Sequence, residues 1–272
     1  MKWENRKRSK NVRRSSGGGF AGLGLGGIVL IIIVTLMGGN PLPLITGGTL
    51  AGPGQTTKDL RDDRDEFLAV VLQDTEDVWN EVFKDYGLEY KEPQLVLYDK
   101  GVKTRCGSAT SQVGPFYCSG DETIYIDTSF YDDLKHTFKA PGDFAFAYVL
   151  AHEVGHHVQN QLGIMDKVYA QKSSLSEKEF NKLSVKLELQ ADYFAGVFAK
   201  HVQGKGYLEE GDIEEALNAA AGVGDDRIQE MTTGEIRPDK FTHGTSEQRK
   251  EWFMRGMKYG DIEHSDTFSE IK

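Results

Sequence analysis

Among 272 residues, the run His152-Glu153-Val154-Gly155-His156 combines residue types and spacing that build a zinc site on a helix. Positions i and i+4 lie only about 40° apart around an α-helix, so both imidazoles can reach one ion at about 2.0–2.1 Å. Glu153 borders the same point. From there it cannot become a third ligand without distorting the helix, but it can take a proton from a water activated by the metal. The competing reading is three polar residues hydrogen-bonded in a core. Burying two histidines and a glutamate without partners is costly, which favours the metal.

The surrounding sequence must supply the helix and a third ligand. Phe144 to Leu162 reads as one largely apolar, buried helix, opened by Pro141-Gly142-Asp143 and closed by Gly163. A catalytic zinc takes three protein ligands and keeps one open position. Glu188 is the candidate third ligand, inside a second long helix that begins near Ser174, with Ser174-x-x-Glu177 as its capping box. Asp192 follows at i+4 on the same face. There it can accept the outer N–H of a ligand histidine while Glu188 binds the ion. Ala191, Ala195 and Gly196 are small and would let this helix approach the His152 helix closely. The competing reading of Glu188 and Asp192 is a solvated charged face.

H-E-x-x-H followed by E-x-x-x-D on the next long helix resembles the gluzincin zinc peptidases. The strings Ala151-His-Glu-Val-Gly-His-His-Val-Gln159, Glu188-Leu-Gln-Ala-Asp192 with Phe194-Ala-Gly196, Gly224-Asp-Asp-Arg227 and His243-Gly-Thr-Ser-Glu-Gln-Arg249 resemble the bacterial putative neutral zinc metallopeptidase family, as does the start Met1-Lys-Trp-Glu. The resemblance spans nearly the whole chain and implies a membrane-anchored zinc peptidase. Tyr193 stands where many relatives are expected to carry cysteine, beside the proposed ligand pair and outside it. The family motif also supplies His243 as the group that stabilises the developing oxyanion. It lies in a loop before a third helix, which is opened by Thr245 or Ser246 with Gln248 in capping-box position and runs to about Tyr259. His157 points about 100° away from His156 and cannot share the ion.

Charge is divided along the chain. Residues 1–19 carry seven Lys or Arg and one Glu, a net +6, so an overall net charge of −10 leaves −16 on the rest. So acidic a body argues against nucleic acid as a partner. Phe20 to Met37 is 18 residues without a charge, just long enough to span a bilayer, and the positive-inside rule keeps residues 1–19 in the cytoplasm. The expected organisation is therefore a basic cytoplasmic arm (1–19), a transmembrane anchor (20–37), a flexible linker (38–56), a zinc metallopeptidase domain (57–260) and a C-terminal tail (261–272). This is a single-pass protein of the bacterial cytoplasmic membrane with its catalytic domain outside. A cleaved signal peptide is the competing reading, but the only A-x-A-like match, at Thr49-Leu50-Ala51, is poor and distant from the apolar run. Gly22-x-Gly24-x-x-Gly27 matches a dinucleotide fingerprint in form only, since a basic arm precedes it in place of a strand.

From about Thr57 to Tyr86 apolar residues recur at helical spacing, and short strands are predicted at Gln94 to Tyr98, near Phe116 to Cys118, and at Thr123 to Asp127. The fold class is α+β, a zincin-like metallopeptidase domain that is mostly helical with a small sheet, preceded by one transmembrane helix. Cys106 and Cys118 are the only cysteines and are expected to pair in an oxidising compartment. The expected activity is zinc-dependent hydrolysis of peptide bonds in a peptide or protein substrate. One Zn2+ is held by His152, His156 and Glu188, with Glu153 as general base. Two other readings stand beside it, a zinc hydrolase of non-peptide amides and a non-catalytic, membrane-tethered binding protein.

Overall fold

The computed structural model describes residues 1–15, 56–57, 60, 62–110 and 113–271. Val12–Ser15 forms a strand, β1, which pairs antiparallel with β2 (Thr56–Thr57) and parallel with β3 (Gln94–Tyr98). Helix α1 (Asp63–Asp85) makes the crossover to β3. It starts at Asp62, whose carboxylate accepts from the backbone N–H groups of Arg64 and Asp65, and acidic side chains fill the first turn. The expected helix start near Thr57 is thus too early, because Thr56 and Thr57 belong to the ladder.

A hairpin of β4 (Gly101–Thr104) and β5 (Gly107–Thr110) then precedes β6 (Phe116–Cys118) and β7 (Thr123–Asp127). The main sheet runs β2-β1-β3-β7-β6 and is parallel at β1–β3–β7 and antiparallel at both ends. The three predicted strands occur with the bounds expected. Cys106 and Cys118 are joined as a disulfide, Sγ–Sγ 2.04 Å and Cα–Cα 5.8 Å, which ties the hairpin to β6.

The rest is helical: α2 (Phe130–His136), α3 (Asp143–Gln161), α4 (Ile164–Tyr169), α5 (Glu177–Gly204), α6 (Asp212–Gly222), α7 (Asp225–Thr233), α8 (Ser246–Tyr259) and α9 (Thr267–Glu270). Helix α5 packs on both α3 and α8, and α6 packs on the same two helices. Trp79 of α1 is fully buried, edge-on to Phe194 of α5 at 5.3 Å, so one apolar core joins the sheet side to the helical side. The architecture is α+β and mostly helical.

Two boundaries differ from expectation. The basic start does not stand apart as an arm, since Met1–Ser15 packs on the same body as the helices. Trp3 meets Phe67 edge-on at 5.7 Å, Arg6 pairs with Asp74, Arg8 with Glu66, and Arg14 is buried between Asp65 and Asp99. The Met1 amino group lies 2.7 Å from Asp143 at the start of α3. The C-terminal tail is also docked, with Ser265 and Thr267 buried and the Thr267 hydroxyl donating to Lys186 O at 2.7 Å. The expected anchor at 20–37 and all of the linker except Thr56 lie outside the described residues. Among the described residues no helix is long and apolar enough to cross a membrane.

Candidate metal centre

Helix α3 carries His152, Glu153 and His156 through the core on a face of Phe144, Ala147, Leu150, Ala151 and Val154. Its start departs from ordinary capping. Gly142 adopts φ 125°, and a Cβ there would meet the Glu215 carboxylate at 2.0 Å. Glu215 Oε2 instead reaches in from α6 and accepts from Phe144 N at 3.0 Å. Helix α5 opens with a capping box of Ser176 and Glu179, two residues after the expected Ser174 pair, while Ser174 donates to Gln171 O.

The small residues on α5 serve two neighbours. Ala191 faces Gly155 of α3, where a Cβ on Gly155 would come within 2.9 Å of Ala191 O. Gly196 faces α8 instead, opposite Gly256. A Cβ on Gly196 would lie 2.0 Å from Phe253 O, and one on Gly256 would lie 1.9 Å from Tyr193 O. Close approach to the His152 helix therefore rests on Ala191, and the expectation that Gly196 contributes to it is corrected.

These contacts bring the predicted ligands together. Glu188 Oε2 lies 3.1 Å from His152 Nε2 and Oε1 lies 3.5 Å from His156 Nε2, and one ligand atom from each residue falls within 4.8 Å of the others. The outer nitrogens are held as well: His152 Nδ1 donates to Asp192 Oδ1 and His156 Nδ1 to Gln159 Oε1, both at 2.9 Å. Those acceptors fix a proton on each Nδ1 and leave both Nε2 atoms facing the Glu188 carboxylate, as ligand atoms once they are deprotonated. Two imidazole nitrogens and a carboxylate oxygen converging on one point fit a zinc ion with a position left open. Tyr193 turns away, its hydroxyl donating to Asp261 at 3.0 Å.

The acids and bases are strongly coupled. Burial disfavours the His152 imidazolium, but Asp192 and Glu188 outweigh it and raise its pKa to about 9. Burial would raise Glu188, yet His156, His243 and His152 hold it well below the ordinary carboxylate range. Glu153 moves the other way. Burial raises its pKa against the opposing pull of His156 and His152, as suits a carboxylate that must accept a proton near neutrality.

Two supporting residues lie within the quoted motifs but carry no role in the reading of the sequence. Arg249, on α8, is buried and donates to both Asp192 oxygens at 2.8 and 3.0 Å, and to Tyr148 Oη, which itself donates to Asp192. Gln159 donates to Leu187 O at 2.7 Å and so fixes the turn of α5 just before Glu188. Their sequence signal was membership of those family strings, which did not say what either side chain touches. His243 lies on the loop before α8 and borders the same cavity. Its loop is organised by the fully buried Asp225, whose Oδ2 accepts from the backbone N–H groups of Thr242, His243 and Gly244. Burial lowers the His243 pKa, but Glu188 and Asp225 more than offset this and leave it raised.

A cavity of about 430 Å³ is lined by the three ligand candidates together with Phe116 and Tyr117 of β6 and with His243 and Arg249. Strand β6 is an edge of the sheet. It is pinned to the metal helix through the buried His157, whose Nδ1 lies 3.0 Å from Tyr117 Oη and whose Nε2 lies 2.6 Å from Lys91 O. His157 thus serves β6 and not the ion, and burial lowers its pKa.

Such a pair of buried helices, one giving His-x-x-x-His and the next Glu-x-x-x-Asp beneath a cleft with a strand at its rim, fits a metal site of the zinc-metallopeptidase type. The chain belongs to the family described as putative neutral zinc metallopeptidase, whose model matches residues 1–268. It is 46% identical to "Uncharacterized protein YpfJ" of Escherichia coli (strain K12), over 99% of each chain. It is 44% identical to "Uncharacterized protein Rv2575" of Mycobacterium tuberculosis (strain ATCC 25618 / H37Rv), over 66% of this chain and 64% of that one. No solved structure matches the chain.

Two results are expected from metal binding. Glu188→Ala should abolish stoichiometric zinc, whereas Asp192→Asn should weaken affinity about 10–100-fold with the site still recognisable. Full zinc content in Glu188→Ala, measured by elemental analysis after dialysis, would remove it from the ligand set. The second concerns protons. Because His152 holds its proton up to about pH 9 in the metal-free protein, zinc loading at pH 7 should release it, and apparent affinity should climb with pH and level off near 9. In the metal-free state the same raised pKa adds stability that is complete below the ordinary 6.5 and fades as pH rises through about 9. Calorimetry of zinc binding in buffers of different protonation enthalpy reads the released proton; identical heats at pH 7 would refute it.

Proposed function

We propose that the protein is a zinc-dependent peptidase in which His152, His156 and Glu188 hold one Zn2+, attached to a membrane through the apolar run 20–37. The observation that carries the reading is the convergence of both Nε2 atoms on the Glu188 carboxylate beneath an open cavity, with Glu153 one residue away on the same helix. A zinc ion at that point supplies Lewis acidity toward the substrate carbonyl and lowers the pKa of water.

The chain's own residues do the rest. Glu153 accepts the proton of the attacking water and can return it to the departing amine. His243, raised toward its cationic form by Glu188 and Asp225, donates to the oxygen that becomes negative. Asp192, itself held by Arg249, keeps the His152 ring in one orientation.

A peptide is favoured over a small amide because the cavity wall includes an edge strand. An extended substrate can add to β6 through main-chain hydrogen bonds, with Phe116 and Tyr117 beside its side chains. The test is incubation of the zinc-loaded full chain with mixed unstructured peptides, with and without chelator. Chelator-sensitive internal cuts are expected; hydrolysis of small amides alone would favour the non-peptide reading.

A further inference from the structure

Residues 16–57 contain no Asp, Glu, Lys or Arg, and they include the 18-residue apolar run 20–37. Ser15 and Thr56, which flank this stretch, are direct partners in the β1–β2 ladder. On its other side β1 is hydrogen-bonded in parallel to β3, with Val12 opposite Leu95, Arg13 opposite Val96 and Arg14 opposite Leu97. A stretch that crosses a bilayer once would place its two ends about 30 Å apart on opposite faces. Neighbouring strands of one ladder are only about 4.8 Å apart.

We infer that Met1–Ser15 and the metal-centre domain occupy the same face of the membrane. This deepens the proposed membrane attachment and rests on it, but not on zinc or catalysis. The charges agree. The positive-inside rule counts basic residues free to remain in the cytoplasm. Here three of the seven basic residues, Arg6, Arg8 and Arg14, are committed to Asp74, Glu66, and Asp65 with Asp99, so moving residues 1–15 to the far side would break these pairings, the buried Arg14–Asp65 contact among them. Length agrees as well. After Met37 no second uncharged run of comparable apolar content follows, because residues 38–55 are broken by six Gly and three Pro, too poor in apolar side chains for a return span. The Cys106–Cys118 disulfide assigns the shared face to the oxidising, extracytoplasmic side.

The experiment uses the full chain in its native cells with one added surface cysteine, at exposed Lys7 or at exposed Lys178, and a membrane-impermeant maleimide. Lys7→Cys and Lys178→Cys should label to the same extent in intact cells, within about twofold, and both without prior permeabilisation. Labelling of Lys178→Cys alone would restore the single crossing and overturn the inference; labelling of both only after permeabilisation would overturn the assignment of the face while upholding the shared side. Alkaline extraction of membranes separates the premise from the inference. The protein should stay with the lipid pellet, and release into the supernatant would defeat membrane attachment itself, whatever the labelling shows.

Discussion

Glu153→Gln should bind zinc like the wild type and lose about 10²–10⁴ or more of its rate on any peptide the wild type cuts. The substitution keeps the size of a side chain that is buried at the rim of the ligand cluster, so neither the helix nor the His152 and His156 geometry has reason to move. What disappears is a basic oxygen whose proton affinity burial has already raised. An amide cannot take a proton at neutral pH, so the step that generates the nucleophile fails while metal binding survives. His243→Ala provides the contrast: about 10²–10³ in turnover for loss of one donor to the oxyanion, again with zinc retained. Single-turnover cleavage beside elemental analysis reads both. Full activity in Glu153→Gln would end the general-base mechanism, and a wild type that holds zinc yet cuts no peptide or amide would favour the binding-protein reading.

The second large effect is on the scaffold. Gly256→Ala places a Cβ 1.9 Å from Tyr193 O and 2.9 Å from Gly196 Cα, against backbone atoms that cannot swing aside. Helices α5 and α8 must separate, at a cost of about 3 kcal/mol or more, beyond the usual range for overpacking. For a domain of this size that lowers Tm by about 6–12 °C. Zinc affinity should drop too, because α8 carries Arg249 and α5 carries Asp192, so separating the helices loosens the guanidinium from the acid that orients His152. Gly204→Ala is the control. It is also helical, but nothing lies within 4 Å of its would-be Cβ, and it should be neutral or slightly stabilising. Equal melting of the two variants by circular dichroism would mean that the tight contact does not govern packing.

Much of this site was legible because its chemistry is periodic. H-E-x-x-H and E-x-x-x-D each place two functional groups on one helical face, and a helix preserves that relation wherever it packs. Asp225 and Arg249 were harder. Their roles arise from contacts across 18 residues to His243 and 57 residues to Asp192, which no local spacing encodes. The strands at Gln94, Phe116 and Thr123 announced themselves by apolar content, whereas β1 did not. Its sequence, Val-Arg-Arg-Ser, reads as a solvated basic tract because the acids that make Arg14 a core residue lie on α1 and at Asp99.

The β1–β3 ladder also sets a timetable for synthesis. Val12 leaves the ribosome some 80 residues ahead of its partner Leu95, a delay of about 4–16 s at ordinary elongation rates. Through about the second half of that interval the uncharged run after Ser15 is already made, while β1 still lacks its partner β3. Whatever receives the nascent apolar segment, bilayer or chaperone, therefore acts on it before the sheet exists. The exposed Arg and Lys side chains around β1 then have an early task, keeping a lone strand in solution until its neighbour arrives.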